Sequence, residues 1–348
     1  MAGTPPPLEI NPPLVNSACP WATTLEDLRR LYSCPSTGAV TTRTSLIHGF
    51  DHDPAKHQYT FFDPTTHKAS PDPNPHQAGD PSQTASLNSL GYSPLTLLTY
   101  LGFIKTISDE QPGRSNKGFV VSVTGTPEDI AASYTLITSA TPHLQFPMAM
   151  EINLSCPNIP NRPPPAYSED ALVTYLNHLQ RAITAAAEPR IPVGLKTPPY
   201  TYATQYASLM SALERAADSD GGGGVCPVSF ITATNTLGSC LVLAASEGEE
   251  EEEEDERFAL PGSGLGGLAG APLHPLALGN VRTIRRMLDE RADKLGHIRV
   301  VGVGGVLDAG GYRRMRAVGA HVVGVGTGLG LEGVGVFGEI ERVLGGRW

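Results

Sequence analysis

The chain contains no run of apolar residues near the roughly 18 that a membrane-spanning helix needs, although 40% of its 348 residues are hydrophobic. That predicts no membrane association and leaves ample material for a core. The opening stretch MAGTPPPLEINPP has neither the basic region nor the apolar core of a secretory signal, and it lacks the arginines of a mitochondrial presequence. Cysteine is scarce and odd in number: Cys19, Cys34, Cys156, Cys226 and Cys240 include no C-x-x-C pair. This predicts reduced thiols in the cytoplasm and argues against a metal site. A basic patch is missing too, which argues against nucleic acid as a partner. The net charge of −10 comes almost wholly from nine acidic residues between Glu247 and Glu256. The rest of the chain is close to neutral.

What is present is an alternation of strand and helix signals, repeated eight times. Short β-branched runs fall at Leu14–Ala18, Ala39–Ser45, Phe119–Thr124, Met148–Leu154, Ile191–Lys196, Val228–Ala233, Arg299–Gly304 and His321–Gly326. Amphipathic patterns such as TTLEDLRRLY, PEDIAASYTLITSA and YATQYASLMSALERAA lie between them. Near-continuous apolar strands separated by helices predict a parallel sheet covered on both faces. Eight units over this length predict an α/β chain folded as one (β/α)8 TIM barrel spanning residues 1–348. An open doubly wound sheet is the alternative. Two segments break the rhythm and read as flexible insertions: 51–83, rich in Pro, Asp, His and Ser, and 244–264, which holds the acidic run. Loops that follow barrel strands border the catalytic face, so both are expected near its entrance.

The chemistry-bearing residues cluster at predicted strand ends. MAMEINL runs straight into Ser155-Cys156-Pro157, a thiol flanked by Asn153 and Asn158. Proline ends the strand because it cannot donate to the ladder. A cysteine there is a base, a nucleophile or a packed thiol, and the asparagines suit a planar, amide-rich ring. Gly304-Gly305 and Gly326-Thr327 end the last two strands, where barrels commonly grip a phosphate with backbone amides. No G-x-G-x-x-G opens a first βα unit, so a dinucleotide fingerprint is missing. Lys196 ends VGLKT, Asn235 and Thr236 end ITATNT, and Asn88 precedes Leu90-Gly91-Tyr92 in SLNSLGY. A lysine in an apolar strand is either solvated at the strand end or waiting for an anion.

The segment Glu151–Pro160 closely resembles the active-site loop of the soluble, class 1 dihydroorotate dehydrogenases, and the likeness runs from about Leu14 to Leu344. The resemblance implies FMN as cofactor, Cys156 as general base, dihydroorotate and orotate as substrate and product, and fumarate as acceptor. It places Asn88, Leu90, Gly91, Tyr92, Asn153, Asn158, Asn235 and Thr236 on the substrate. It places Ala18, Arg43, Lys196, Gly266, Gly267, Gly304, Gly305, Gly326 and Thr327 on the cofactor. It further implies a cytoplasmic homodimer. Two residues depart from the pattern: Arg43 stands where the family usually has lysine, and Cys19 where a glycine is expected beside the flavin. A diverged FMN barrel acting on another dihydropyrimidine or an enoate is therefore the alternative.

Overall fold

The computed structural model describes residues 4–71, 74, 80–156, 158, 163–186, 189–218, 224–244 and 257–348. The acidic run lies outside the described residues. Twelve strands are present among them: β1 (Leu14–Asn16), β2 (Ala39–Thr41), β3 (Tyr59–Phe62), β4 (Ala85–Asn88), β5 (Gly118–Val123), β6 (Met148–Asn153), β7 (Val193–Thr197), β8 (Phe230–Ala233), β9 (Leu237–Leu241), β10 (Leu265–Gly270), β11 (Arg299–Val303) and β12 (Val322–Val325). Eight of them, β1-β2-β5-β6-β7-β8-β11-β12, pair side by side in parallel, and β12 returns to β1 to close the barrel. Closure removes the open-sheet alternative. Six of the eight barrel strands fall within the runs expected from the sequence, and β5 and β7 overrun theirs by one residue, at Gly118 and Thr197.

The helices between the strands start where side-chain caps allow. Thr24 with Asp27, and Thr126 with Asp129, form reciprocal capping boxes that open helices Leu25–Ser33 and Pro127–Ala140. Each box satisfies amide donors that the first helical turn leaves unpaired. The apolar faces of the helices meet the outer face of the barrel in the largest core cluster, which includes Leu28, Ile130, Leu176, Leu213, Val281 and Ile340.

Inside the barrel, composition changes along the axis. Val15, Ala39, Val120, Ala149, Phe230, Val301 and Val322 form a separate apolar cluster with Leu8, and Ile10 packs against it. Successive strand side chains alternate faces. Ser122, Glu151, Gly194 and Thr232 therefore share the inward face with Val120, Ala149 and Phe230, one step nearer the strand C-termini. Asn153 and Lys196 are a further step along and are register partners on β6 and β7. The inward positions thus run from apolar to polar. Gly194 leaves the room that the Phe230 ring fills.

The other four strands form a small antiparallel sheet, β3-β4-β10-β9. Its strands enter after β2 and after β8, so it lies over the catalytic end. This changes the reading of 51–83 as an extended loop, because the segment contains β3. Tyr59–Phe62 pairs with β4 in register, Tyr59 opposite Asn88, and both phenylalanines are buried. Phe62, Leu87, Val242 and Leu260 form the sheet's own core. Leu260 belongs to the second segment read as an insertion, so the end of that segment is packed. Trp21 stacks on Phe61 at 5.8 Å and donates to the Tyr59 hydroxyl at 3.3 Å, tying the sheet to the end of β1.

Gly194→Ala is expected to destabilise the fold by about 1–3 kcal/mol, since the added methyl forces the Phe230 ring off its rotamer. A chemical denaturation midpoint equal to that of the unmodified protein would show that the barrel interior has slack at this level.

Candidate active site

The C-terminal ends of the barrel strands and the small sheet enclose one cavity. Strand direction alone delivers most of its lining: Ala18 after β1, Arg43 after β2, Cys156 after β6, Lys196 on β7, Asn235 after β8, and the glycines after β11 and β12. Asn88, Leu90, Gly91, Tyr92, Asn153, Asn158, Thr236, Gly304, Gly305, Gly326 and Thr327 line the same cavity. Gly266 and Gly267 do not line it. They lie in β10, where a Cβ on Gly266 would sit 2.6 Å from the Asn88 carbonyl oxygen and one on Gly267 would meet Thr236 Oγ1. Their smallness serves close strand packing, and the cavity wall is made instead by Ala269 and Gly270.

At one end, carboxamides surround a thiol. Asn158 Nδ2 donates to the Asn88 carbonyl at 3.1 Å, to Asn88 Oδ1 at 3.0 Å and to the Leu90 carbonyl at 2.8 Å. Asn88 Nδ2 in turn donates to the Gly267 carbonyl at 3.1 Å. Asn153 and Asn235 meet at 3.3 Å. Burial pushes the Cys156 thiol above its ordinary value, and the Asn158 amide, Lys196, Tyr92 and Arg43 pull the other way without reversing it. Arg43 Nη2 donates to the Gly91 and Tyr92 carbonyls at 3.4 and 3.2 Å, and burial draws its guanidinium down.

At the other end is a glycine cradle. Gly304 and Gly305 have φ of +134° and +66°, conformations that side chains rarely allow. A Cβ on Gly305 would lie 2.6 Å from the Gly270 carbonyl oxygen and 2.7 Å from His274 Cβ. His274 is pinned on both ring nitrogens. Arg314 Nε donates to Nε2 at 2.9 Å, so Nδ1 carries the hydrogen and donates to the Gly304 carbonyl at 2.7 Å. Thr327 Oγ1 and Ser86 Oγ are 2.9 Å apart, joining the end of β12 to the small sheet.

Several lining residues were not expected from sequence: Trp21, Thr44, Tyr59, Ser86, Thr234 and Gly270. Thr44 and Thr234 carried a usable signal, since each directly neighbours a residue already singled out. Ser86 did too, lying two residues before Asn88 and so on the same strand face. Tyr59 carried none, because its strand was not legible.

The arrangement defines a (β/α)8 barrel enzyme class, with a glycine cradle at one end of the cavity and a thiol among amides at the other. The profile of the family described as dihydroorotate dehydrogenase matches residues 59–347. A dihydroorotate dehydrogenase (fumarate) of Trypanosoma cruzi is 28% identical over 333 residues, covering 95% of this chain and 88% of the relative. Its counterpart in Trypanosoma brucei brucei is 28% identical over 337 residues, covering 97% and 90%. The chain belongs to the dihydroorotate dehydrogenase family. That family is FMN-dependent, and the residues here fit that cofactor. Lys196 is 3% exposed and its ammonium donates to the Ser17 hydroxyl at 3.3 Å, so a buried cation faces the cavity without an anionic partner among the described residues. Thr234 Oγ1 is buried without a partner, and the glycine cradle admits no side chain.

Gly305→Asp is expected to abolish FMN retention, because it puts a carboxylate against the phosphate position. Flavin absorbance of the purified variant, alongside a folded circular dichroism spectrum, measures this. Full occupancy would remove the grip from Gly304-Gly305.

Proposed function

We propose that this chain oxidises (S)-dihydroorotate to orotate in pyrimidine biosynthesis, using FMN and passing the electrons on to fumarate, with Cys156 as general base. The observation that carries the proposal is one thiol held among four carboxamides and two cations in the cavity that fits the cofactor. Cys156 Sγ, as thiolate, takes the proton from carbon 5 of the substrate. FMN, when bound, supplies the acceptor for the hydride that leaves carbon 6. Asn88, Asn153, Asn158 and Asn235 line the substrate's end with neutral donors and acceptors, so none competes for the proton. Leu90, Gly91, Tyr92 and Thr236 close that end. Lys196 and Arg43 provide positive charge for the cofactor and for the carboxylate of the substrate. Ala18, Gly304, Gly305, Gly326 and Thr327 hold FMN.

A cytoplasmic homodimer accompanies this reading. The five cysteines are free thiols, which suits a reducing compartment, and no described helix is long and apolar enough to cross a membrane. On the small sheet, Leu241 (43% exposed) is the register partner of Leu265 (48%), and Leu243 (51%) bridges Phe258 (37%). Four large apolar side chains in one strip favour burial against a second copy.

One observation favours a second reading, an FMN barrel acting on another dihydropyrimidine or an enoate: Arg43 spends donor capacity on the Gly91 and Tyr92 carbonyls. Anaerobic mixing separates the two, since bleaching of the flavin by dihydroorotate supports the first and bleaching only by another donor supports the second.

Cys156→Ala is expected to slow flavin reduction by about 10²–10⁴-fold, the usual contribution of a positioned base, with flavin content unchanged. A normal rate would show that the thiol only packs. Since the thiolate is the working form and burial raises its pKa, the reduction rate should climb with pH through neutrality and past the ordinary thiol value of about 8.5. A flat profile between pH 6 and 9 would contradict a thiol base. For the assembly, Leu265→Glu is expected to convert the dimer to monomer in light scattering, and an unchanged mass would move the interface elsewhere.

A further inference from the structure

A chain of hydrogen bonds runs from the middle of the barrel to the substrate end of the cavity, and a buried carboxylate sets its direction. Glu151 is 3% exposed and accepts at both oxygens, from Ser122 Oγ at 2.9 Å and from Thr232 Oγ1 at 2.7 Å. A hydroxyl has one hydrogen to give. With that hydrogen committed to Glu151, Ser122 Oγ must accept from Thr44 Oγ1, 2.9 Å away. Thr44 then has none left and accepts from Asn153 Nδ2 at 3.0 Å.

The same polarity continues outward. Asn153 Oδ1 faces Ser155, accepting from its amide at 3.2 Å and its hydroxyl at 2.9 Å. Ser155 Oγ therefore accepts from Asn235 Nδ2 at 3.0 Å, and Asn235 Oδ1 accepts from the Thr236 amide at 2.9 Å. Every member donates towards Glu151. The orientation of both cavity amides follows from this order, and Asn153 keeps one N–H without a partner among the described residues.

We infer that Glu151 and Ser122 are positioning residues for substrate recognition. Neither lines the cavity, and both act through Thr44 and Asn153. They hold Asn153 so that it meets the ligand as a donor, and the ligand atom opposite is an acceptor, a carbonyl or carboxylate oxygen. Reversing the amide would set its NH₂ against the Ser155 amide hydrogen, leaving buried donors unpaired. The inference rests on the dihydroorotate reading for the identity of the ligand and on the hydrogen bonds alone for the positioning.

The test is a double-mutant cycle on orotate affinity, read from the flavin spectrum of the holoprotein. Ser122→Ala should weaken orotate binding by about tenfold and leave FMN content unchanged, while Ser122→Thr, which keeps the hydroxyl, should bind near the wild-type level. In an Asn153→Ala background, Ser122→Ala should cost nothing further, because the residue it acts through is gone. Unchanged affinity in Ser122→Ala, losses that simply add, or loss of FMN along with orotate would each overturn the inference. If the wild type binds no orotate, the substrate reading fails instead. The positioning is then decided by a crystal structure of Ser122→Ala. A turned or disordered Asn153 amide supports it, and an unmoved one overturns it.

Discussion

Closing eight parallel strands on themselves is the constraint from which the rest follows. Every second side chain must enter one tube, and the tube has two unlike ends. The end at the strand N-termini is plugged by Leu8 and Ile10 against Val15, Ala39 and Ala149, and can only be apolar. The other end opens beneath the small sheet, and there the inward positions carry Asn153 and Lys196. These two are register partners, so their adjacency depends on strand pairing and not on any bond between them. A slip of one residue would turn both away from the cavity. Function is therefore as exacting about register as stability is.

The barrel was legible because each of its strands is a short β-branched run between amphipathic helices, a local pattern with a clear period. The thiol loop was legible because proline directly follows Cys156 at a strand end. The small sheet was not, for physical reasons. Its strands pair with distant partners: Tyr59 and Gly267 both lie opposite Asn88. Nothing within Tyr59–Phe62 announces a partner some 30 residues away, and the surrounding prolines and histidines hide its alternation. Gly266 and Gly267 misled for a related reason. A glycine required for close strand approach has the same sequence signature as one required for a phosphate, and only the fold separates the two roles.

Burial and charge act in opposite directions on the Cys156 thiol. Lys196 and Arg43 lower the thiol's pKa, yet burial still dominates and keeps it raised. Glu151 is held by two hydroxyls and not by a cation within ion-pair distance among the described residues. It therefore supplies direction to the amides without neutralising Lys196. The amides are thus oriented by a group that forms no ion pair with either cavity cation among the described residues.

Arg43 carries a positive charge where the resemblance places a lysine, and it differs from a lysine in what that charge is attached to. An ammonium is a compact point on a flexible stem, whereas a guanidinium is a planar fork with five donors. Here one arm of the fork donates to the carbonyls of Gly91 and Tyr92. Those residues follow β4, while Arg43 follows β2, so the fork binds the small sheet's loop to the barrel rim. Tyr92 also reaches the Cys156 thiol. The guanidinium thus places one rigid group between the loop after β4 and the cavity lining. The position of that positive charge is therefore set by the loop after β4 as well as by the barrel.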